Sequence, residues 1–151
     1  MKRFCLFMFF LSVVACEKIP ENPVYGEVLF SFYLQDRDKV LRGVNEYKTF
    51  IPGINYFPKI GEKLGLGGLL VVHTPFIDKD EFCAFDLACP NELNPNRNTI
   101  VEVDKDGINA ICPKCGTKYQ IFDGFGLALN GKYGLRMYHV SLNGSTGVVT
   151  N

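Results

Sequence analysis

The chain reads as an all-β domain of short antiparallel strands. Three observations predict this. Thirteen Phe and seven Tyr with no Trp, together with fifteen Gly and eight Pro, favour strands broken by many turns. Val28, Phe30, Phe32 and Leu34 alternate along one face, the mark of a half-buried strand. After Cys16 no segment carries a helical period. The 151 residues suit one small domain plus a targeting segment, and no internal repeat is present.

The elements follow in order. Val28 to Leu34 is the first strand, and Gln35 to Lys39 a charged turn. Asn45 to Lys63, holding Pro52, Gly53, Pro58 and Gly61, reads as irregular. Gly65 to His73 contains Leu69-Leu70-Val71-Val72, a strand buried on both faces. Asp78-Lys79-Asp80 turns the chain, and Phe82 to Leu87 returns to deliver Cys89. Thr99 to Val103 and Ile108 to Ile111 form a hairpin about the turn at Asp104 to Gly107. Lys118 to Phe122 is a further strand, ended by a turn at Asp123-Gly124 and Gly126. Leu135 to Leu142, the Asn143-Gly144 turn and Val148-Val149 close the meander.

The first residues belong to targeting rather than to the fold. Lys2 and Arg3 precede the apolar run Phe4 to Val14, which is too short to span a bilayer as a helix. Val13-Val14-Ala15-Cys16 resembles a bacterial lipobox. Its expectation is a signal peptide over 1–15, a lipid on Cys16, a polar tether over 16–26 and a domain over 27–151. The protein would then be a lipoprotein of the cell envelope, anchored to a membrane without spanning it. Its compartment would permit disulfides. A formal net charge of zero gives no electrostatic case for a nucleic-acid partner.

The chemistry concentrates in two loops. The first is Cys89-Pro90-Asn91. The second is Cys112-Pro113-Lys114-Cys115-Gly116-Thr117-Lys118-Tyr119. Two cysteine–proline loops that face each other across a hairpin form a grip for a small soft metal centre.

From about Leu66 to Val149 the chain resembles the Rieske [2Fe–2S] domain. The residues that carry this are Ala84 to Pro90, the second loop through Tyr119, and the ending with Asn130-Gly131, Leu135, Tyr138, Val140 and Asn143-Gly144. The resemblance implies Rieske-like antiparallel sheets with a small metal-binding subdomain made by the two Cys–Pro loops. It implies Cys89, Cys112 and Cys115 as metal ligands. It also implies Thr117 and Tyr119 as hydroxyl donors to the cluster sulfurs, where such donors tune the centre. The expected function is electron transfer with a redox or envelope protein partner.

The chain departs from that family at both histidine positions, which hold Asn91 and Cys115. Without imidazole the high potential of the mixed ligand set is not expected. Zinc held by three cysteines with a water or Asn91, a disulfide between two of the three, and no metal at all stay open. In those cases the role is structural or interactive. A thioredoxin-type pair needs a helix opening at the motif, whereas Lys118 to Phe122 reads as strand. Cys83, six residues before Cys89 on a strand, is expected about 20 Å from the loop tip. His73 reads as a core-edge residue and His139 as solvent-facing. No nucleophile–base pair, supported carboxylate dyad or phosphate loop is present, so no enzyme activity is expected.

Overall fold

The computed structural model describes residues 21–76, 81–122 and 125–151. The expected targeting segment with Cys16, and the residues Asp78, Lys79, Asp80, Asp123 and Gly124 of two expected turns, lie outside the described residues.

The architecture is all-β and antiparallel. Seven strands make one sheet: β1 (Val28–Tyr33), β2 (Tyr47–Phe50), β3 (Lys63–Leu64), β4 (Leu69–His73), β5 (Phe82–Asp86), β9 (Met137–Asn143) and β10 (Thr146–Thr150). Their order is β2-β4-β5-β9-β10-β1-β3. A second sheet of three holds β6 (Glu102–Val103), β7 (Asn109–Ile111) and β8 (Lys118–Gln120). The described residues include no α-helix, and a 3₁₀ turn covers Lys39–Arg42, beginning at the last residue of the expected charged turn.

The large sheet curls because β9 serves two neighbours. Its first residues, Met137 and Tyr138, pair with Phe85 and Ala84. Its later residues pair with β10. The curl brings β1 against β2 although they are distant in strand order: the Phe30 and Phe50 rings lie 4.5 Å apart. Inside the curl Phe30, Phe32, Phe50, Leu69, Val71 and Phe82 form one core. Each such side chain contributes about 2 kcal/mol by leaving water.

The opposite faces of β4 and β5 are covered by the small sheet. Leu70, Val72, Cys83 and Phe85 pack there with Val101, Ala110, Tyr119 and Ile121. This second core explains why Leu69–His73 and Phe82–Asp86 are buried at every position. It also contains Cys89 and Cys112, so the loop cysteines are rooted in packed structure.

Two expectations are corrected here. Tyr47–Phe50, read as irregular, is β2, paired to β4 from Tyr47↔Val72 to Phe50↔Leu69. The packed domain also starts before residue 27. Val24 is buried, and the Asn22 side-chain amide donates to the Gly134 carbonyl at 2.8 Å. Residues 22–26, which the sequence reading assigned to a tether, thus carry a buried side chain and a long-range hydrogen bond.

Candidate metal centre

Strand β5 ends on a buried carboxylate that aims the first loop. Asp86 accepts hydrogen bonds from the backbone N–H groups of Leu66 (2.7 Å), Gly67 (2.9 Å) and Ala88 (2.8 Å), and from the Tyr138 hydroxyl (2.7 Å). Gly67 must lack a side chain here, because a Cβ would stand 2.3 Å from the Ala88 nitrogen. Burial, followed by the Asp86 charge, pushes the Tyr138 phenol well above its ordinary pKa, so it serves as a donor. This cradle fixes the backbone that presents Cys89.

The second loop is closed by its own backbone. Gly116 N–H donates to the Cys112 carbonyl and Cys112 N–H to the Thr117 carbonyl, each at 2.9 Å. Gly116 sits at φ 72°, a conformation open to glycine at no cost. The strand β8 begins at Lys118 and no helix opens at Cys115, which removes the thioredoxin-type reading.

The two loops bring four ligand groups together. One ligand atom each from Cys89, Glu92, Cys112 and Cys115 lies within 4.8 Å of all the others. The Cys89 and Cys115 sulfurs are 3.6 Å apart, and Cys112 Sγ lies 3.9 Å from Glu92 Oε1. Cys89, Cys112 and Cys115 carry no disulfide. Cys89 and Cys112 are buried and Cys115 is exposed. Three sulfurs and a carboxylate converging on one point make a cysteine-rich cluster suited to a metal or an iron–sulfur group.

Glu92 was missed by the sequence reading. Its side chain is only 7% exposed, and it pairs with Lys114 of the opposite loop. The signal was an acid three residues beyond Cys89 with a lysine between the cysteines of the second loop. Asn91, the position weighed as a zinc ligand, points elsewhere. Its Nδ2 donates to the Tyr119 hydroxyl (3.0 Å) and the Tyr133 carbonyl (2.7 Å). Its Oδ1 accepts from the N–H groups of Lys132 (2.8 Å) and Tyr133 (3.0 Å). With its bonding capacity used in this way, Asn91 is a strut between the first loop and residues 132–133.

Thr117 and Tyr119 lie against the sulfurs. Tyr119 Oη is 3.1 Å from Cys89 Sγ, and Thr117 Oγ1 is 3.1 Å from Cys115 Sγ. Because Tyr119 accepts from Asn91, its own proton is available to the Cys89 sulfur. Burial pushes the Cys89 thiol up to about 12, partly offset by the Tyr119 bond. Burial acts first to raise Cys115, but its bonds to Thr117, Cys112 and Cys89 together outweigh it and the thiol lies below its usual value. Tyr119 is itself raised well above an ordinary phenol, by burial first and by Cys89 second.

The remaining candidates fall outside the cluster. Cys83 is buried in β5 opposite Val72 and does not belong to the group of four. His73 is buried, with Nδ1 2.8 Å from the Leu41 carbonyl, and His139 is exposed on β9. Both match the readings of core-edge and solvent-facing residues.

No protein-family model matches the chain, and no curated protein matches it. Among solved structures, the chain is similar to the cyanobacterial plasma membrane Rieske protein PetC3 from Synechocystis PCC 6803. The identity is 22% and the TM-score 0.43, over 61% of this chain and 88% of that one. A likeness of that size leaves the neighbour's chemistry its own.

Proposed function

We propose that this protein is a membrane-anchored envelope lipoprotein whose Rieske-like domain holds a single divalent metal ion. Cys89, Glu92, Cys112 and Cys115 would be its ligands. Its role is that of a structural or interaction module without catalysis of its own.

The observation that carries the reading is the mutual spacing of the four ligand atoms, all within 4.8 Å of one another. A tetrahedral ion with metal–sulfur bonds of about 2.3 Å separates its ligand sulfurs by about 3.8 Å. The Cys89–Cys115 separation of 3.6 Å fits that edge. The family resemblance would place these two sulfurs on different irons of a two-iron cluster, which sets its outer ligands further apart. Thiolate and carboxylate donors together suit zinc. When bound, the ion supplies a cross-link. Cys89 and Glu92 hold it from the first loop, and Cys112 and Cys115 from the edge of the small sheet. Lys114 offsets part of the negative charge, and Thr117 and Tyr119 orient two of the sulfurs.

A second reading, electron transfer through a [2Fe–2S] cluster, is favoured by one observation: the Thr117 and Tyr119 hydroxyls, each 3.1 Å from a cysteine sulfur. Hydrogen bonds to sulfur tune the potential of such clusters. With thiolate and carboxylate in place of imidazole, that potential would fall towards about −400 mV.

Chelation separates metal from disulfide, because only a metal-held pair of loops loses thermal stability on treatment with a strong chelator. The anchor is tested by Cys16→Ser, which should move the protein out of the membrane fraction; unchanged partitioning contradicts the lipoprotein reading.

A further inference from the structure

We propose that the surface beside the candidate metal centre lies on anionic lipid headgroups, so that the end bearing Cys115 is the membrane-facing end of the domain. This rests on the lipid anchor at Cys16 proposed above and is independent of which metal the centre holds.

The first support is where the chain enters the fold. The Asn22 amide donates to the Gly134 carbonyl at 2.8 Å. The preceding residue, Tyr133, is bonded through both its N–H and its carbonyl to Asn91. Asn91 reaches Tyr119, and Tyr119 reaches Cys89. The chain therefore enters the fold beside the centre. Only six residue steps separate Cys16 from Asn22. Fully extended, such a length of chain reaches at most about 20 Å. A domain of this length is about 35 Å across. A leash shorter than the domain keeps its entry side towards the bilayer.

The second support is the composition of that side. Tyr119 is buried and bridges Ala128, so period-two alternation turns Lys118, Leu127 and Leu129 together to the outer face. Leu127 and Leu129 are 60% and 55% exposed, and Leu129 N–H bonds to the Lys118 carbonyl at 2.8 Å. Leu93, fully exposed, directly follows Glu92. Lys132 sits on the Asn91 strut through its backbone N–H. Among the described residues neither Lys118 nor Lys132 has an acidic partner, and Glu92 is already paired with Lys114. Exposed leucines with uncompensated lysines are the chemistry of an interfacial lipid contact. Another exposed apolar stretch, with Ile54, Phe57 and Ile60, has Lys59 5.9 Å from the Tyr33 ring, at the opposite end of β1 from Val28.

The absence of tryptophan provides a clean probe. Leu129→Trp and, separately, Phe57→Trp would be introduced into the full-length lipidated protein. Each is then reconstituted on vesicles of phosphatidylglycerol and brominated phosphatidylcholine. The expected result is quenching of the Leu129→Trp protein and none of the Phe57→Trp protein, with both co-floating with the vesicles. Charge reversal by K118E/K132E should lower the surface-contacting fraction by at least about thirty-fold while flotation persists. Leu127→Trp repeats the measurement if Leu129→Trp fails to fold. Flotation with no quenching at 129 or 127 overturns the inference and leaves this surface to a protein partner. Quenching of Phe57→Trp alone overturns it by reversing the orientation. Failure to float overturns the anchor and this inference with it.

Discussion

The Tyr119 hydroxyl stands 3.1 Å from the Cys89 sulfur, and Asn91 fixes it there from the other side at 3.0 Å. A tyrosine of the small sheet thus touches both Cys89 and Asn91 of the first loop, so that sheet and loop meet at this hydroxyl. Tyr119→Phe keeps the ring and removes this contact. The expected result is a folded protein with metal affinity lowered by about 10- to 100-fold, read by chelator competition. Unchanged affinity would mean that the hydroxyl supports only Asn91.

Glu92→Gln is expected to keep the loop's shape while removing the anionic oxygen near Cys112. Metal affinity should fall by at least about ten-fold, with the far-ultraviolet circular dichroism retained. Lys114→Ala removes an exposed partner of Glu92 and is expected to change affinity far less, because the carboxylate remains. Equal losses in the two variants would assign Glu92 to an ion pair and not to the metal.

Asp86→Asn places an amide N–H₂ against a cradle of four donors. Oδ2 accepts from Leu66 N–H and the Tyr138 hydroxyl and Oδ1 from Gly67 and Ala88 N–H, so whichever oxygen becomes the amide nitrogen, two of the four donors lose their acceptor. Leaving buried donors unsatisfied costs about 1–3 kcal/mol each, so a loss of about 3 kcal/mol is expected in urea denaturation. A loss below about 1 kcal/mol would show that the cradle relaxes without moving Cys89.

Much of the fold was legible because its inward residues follow simple periods. Phe30 and Phe32 alternate into the curl, and Leu69–His73 is apolar throughout because the small sheet covers its second face. Strand β2 was not legible: only Phe50 of its four residues is buried, and Pro52 and Gly53 follow at once. The two cysteine loops were legible from spacing. Glu92 was not, since an acid in a polar loop is ordinarily solvated and only the fold turns this one onto the thiols. Asn91 looked like a lost ligand, whereas its four hydrogen bonds make it the strut that holds residues 132 and 133 to the first loop. The contact of Asn22 with Gly134 joins residues 112 positions apart and leaves no local mark in the sequence.

The most direct test of a single-ion centre is the metal, labile-sulfide and free-thiol content of the chain purified from its own compartment, taken with its visible spectrum. The expected result is one divalent ion per chain, no labile sulfide and a colourless protein whose metal is lost in C89A and C112A variants. Two irons and two sulfides per chain, with red-brown absorbance, would contradict it in favour of electron transfer. A metal-free protein short of two thiols would contradict both metal readings.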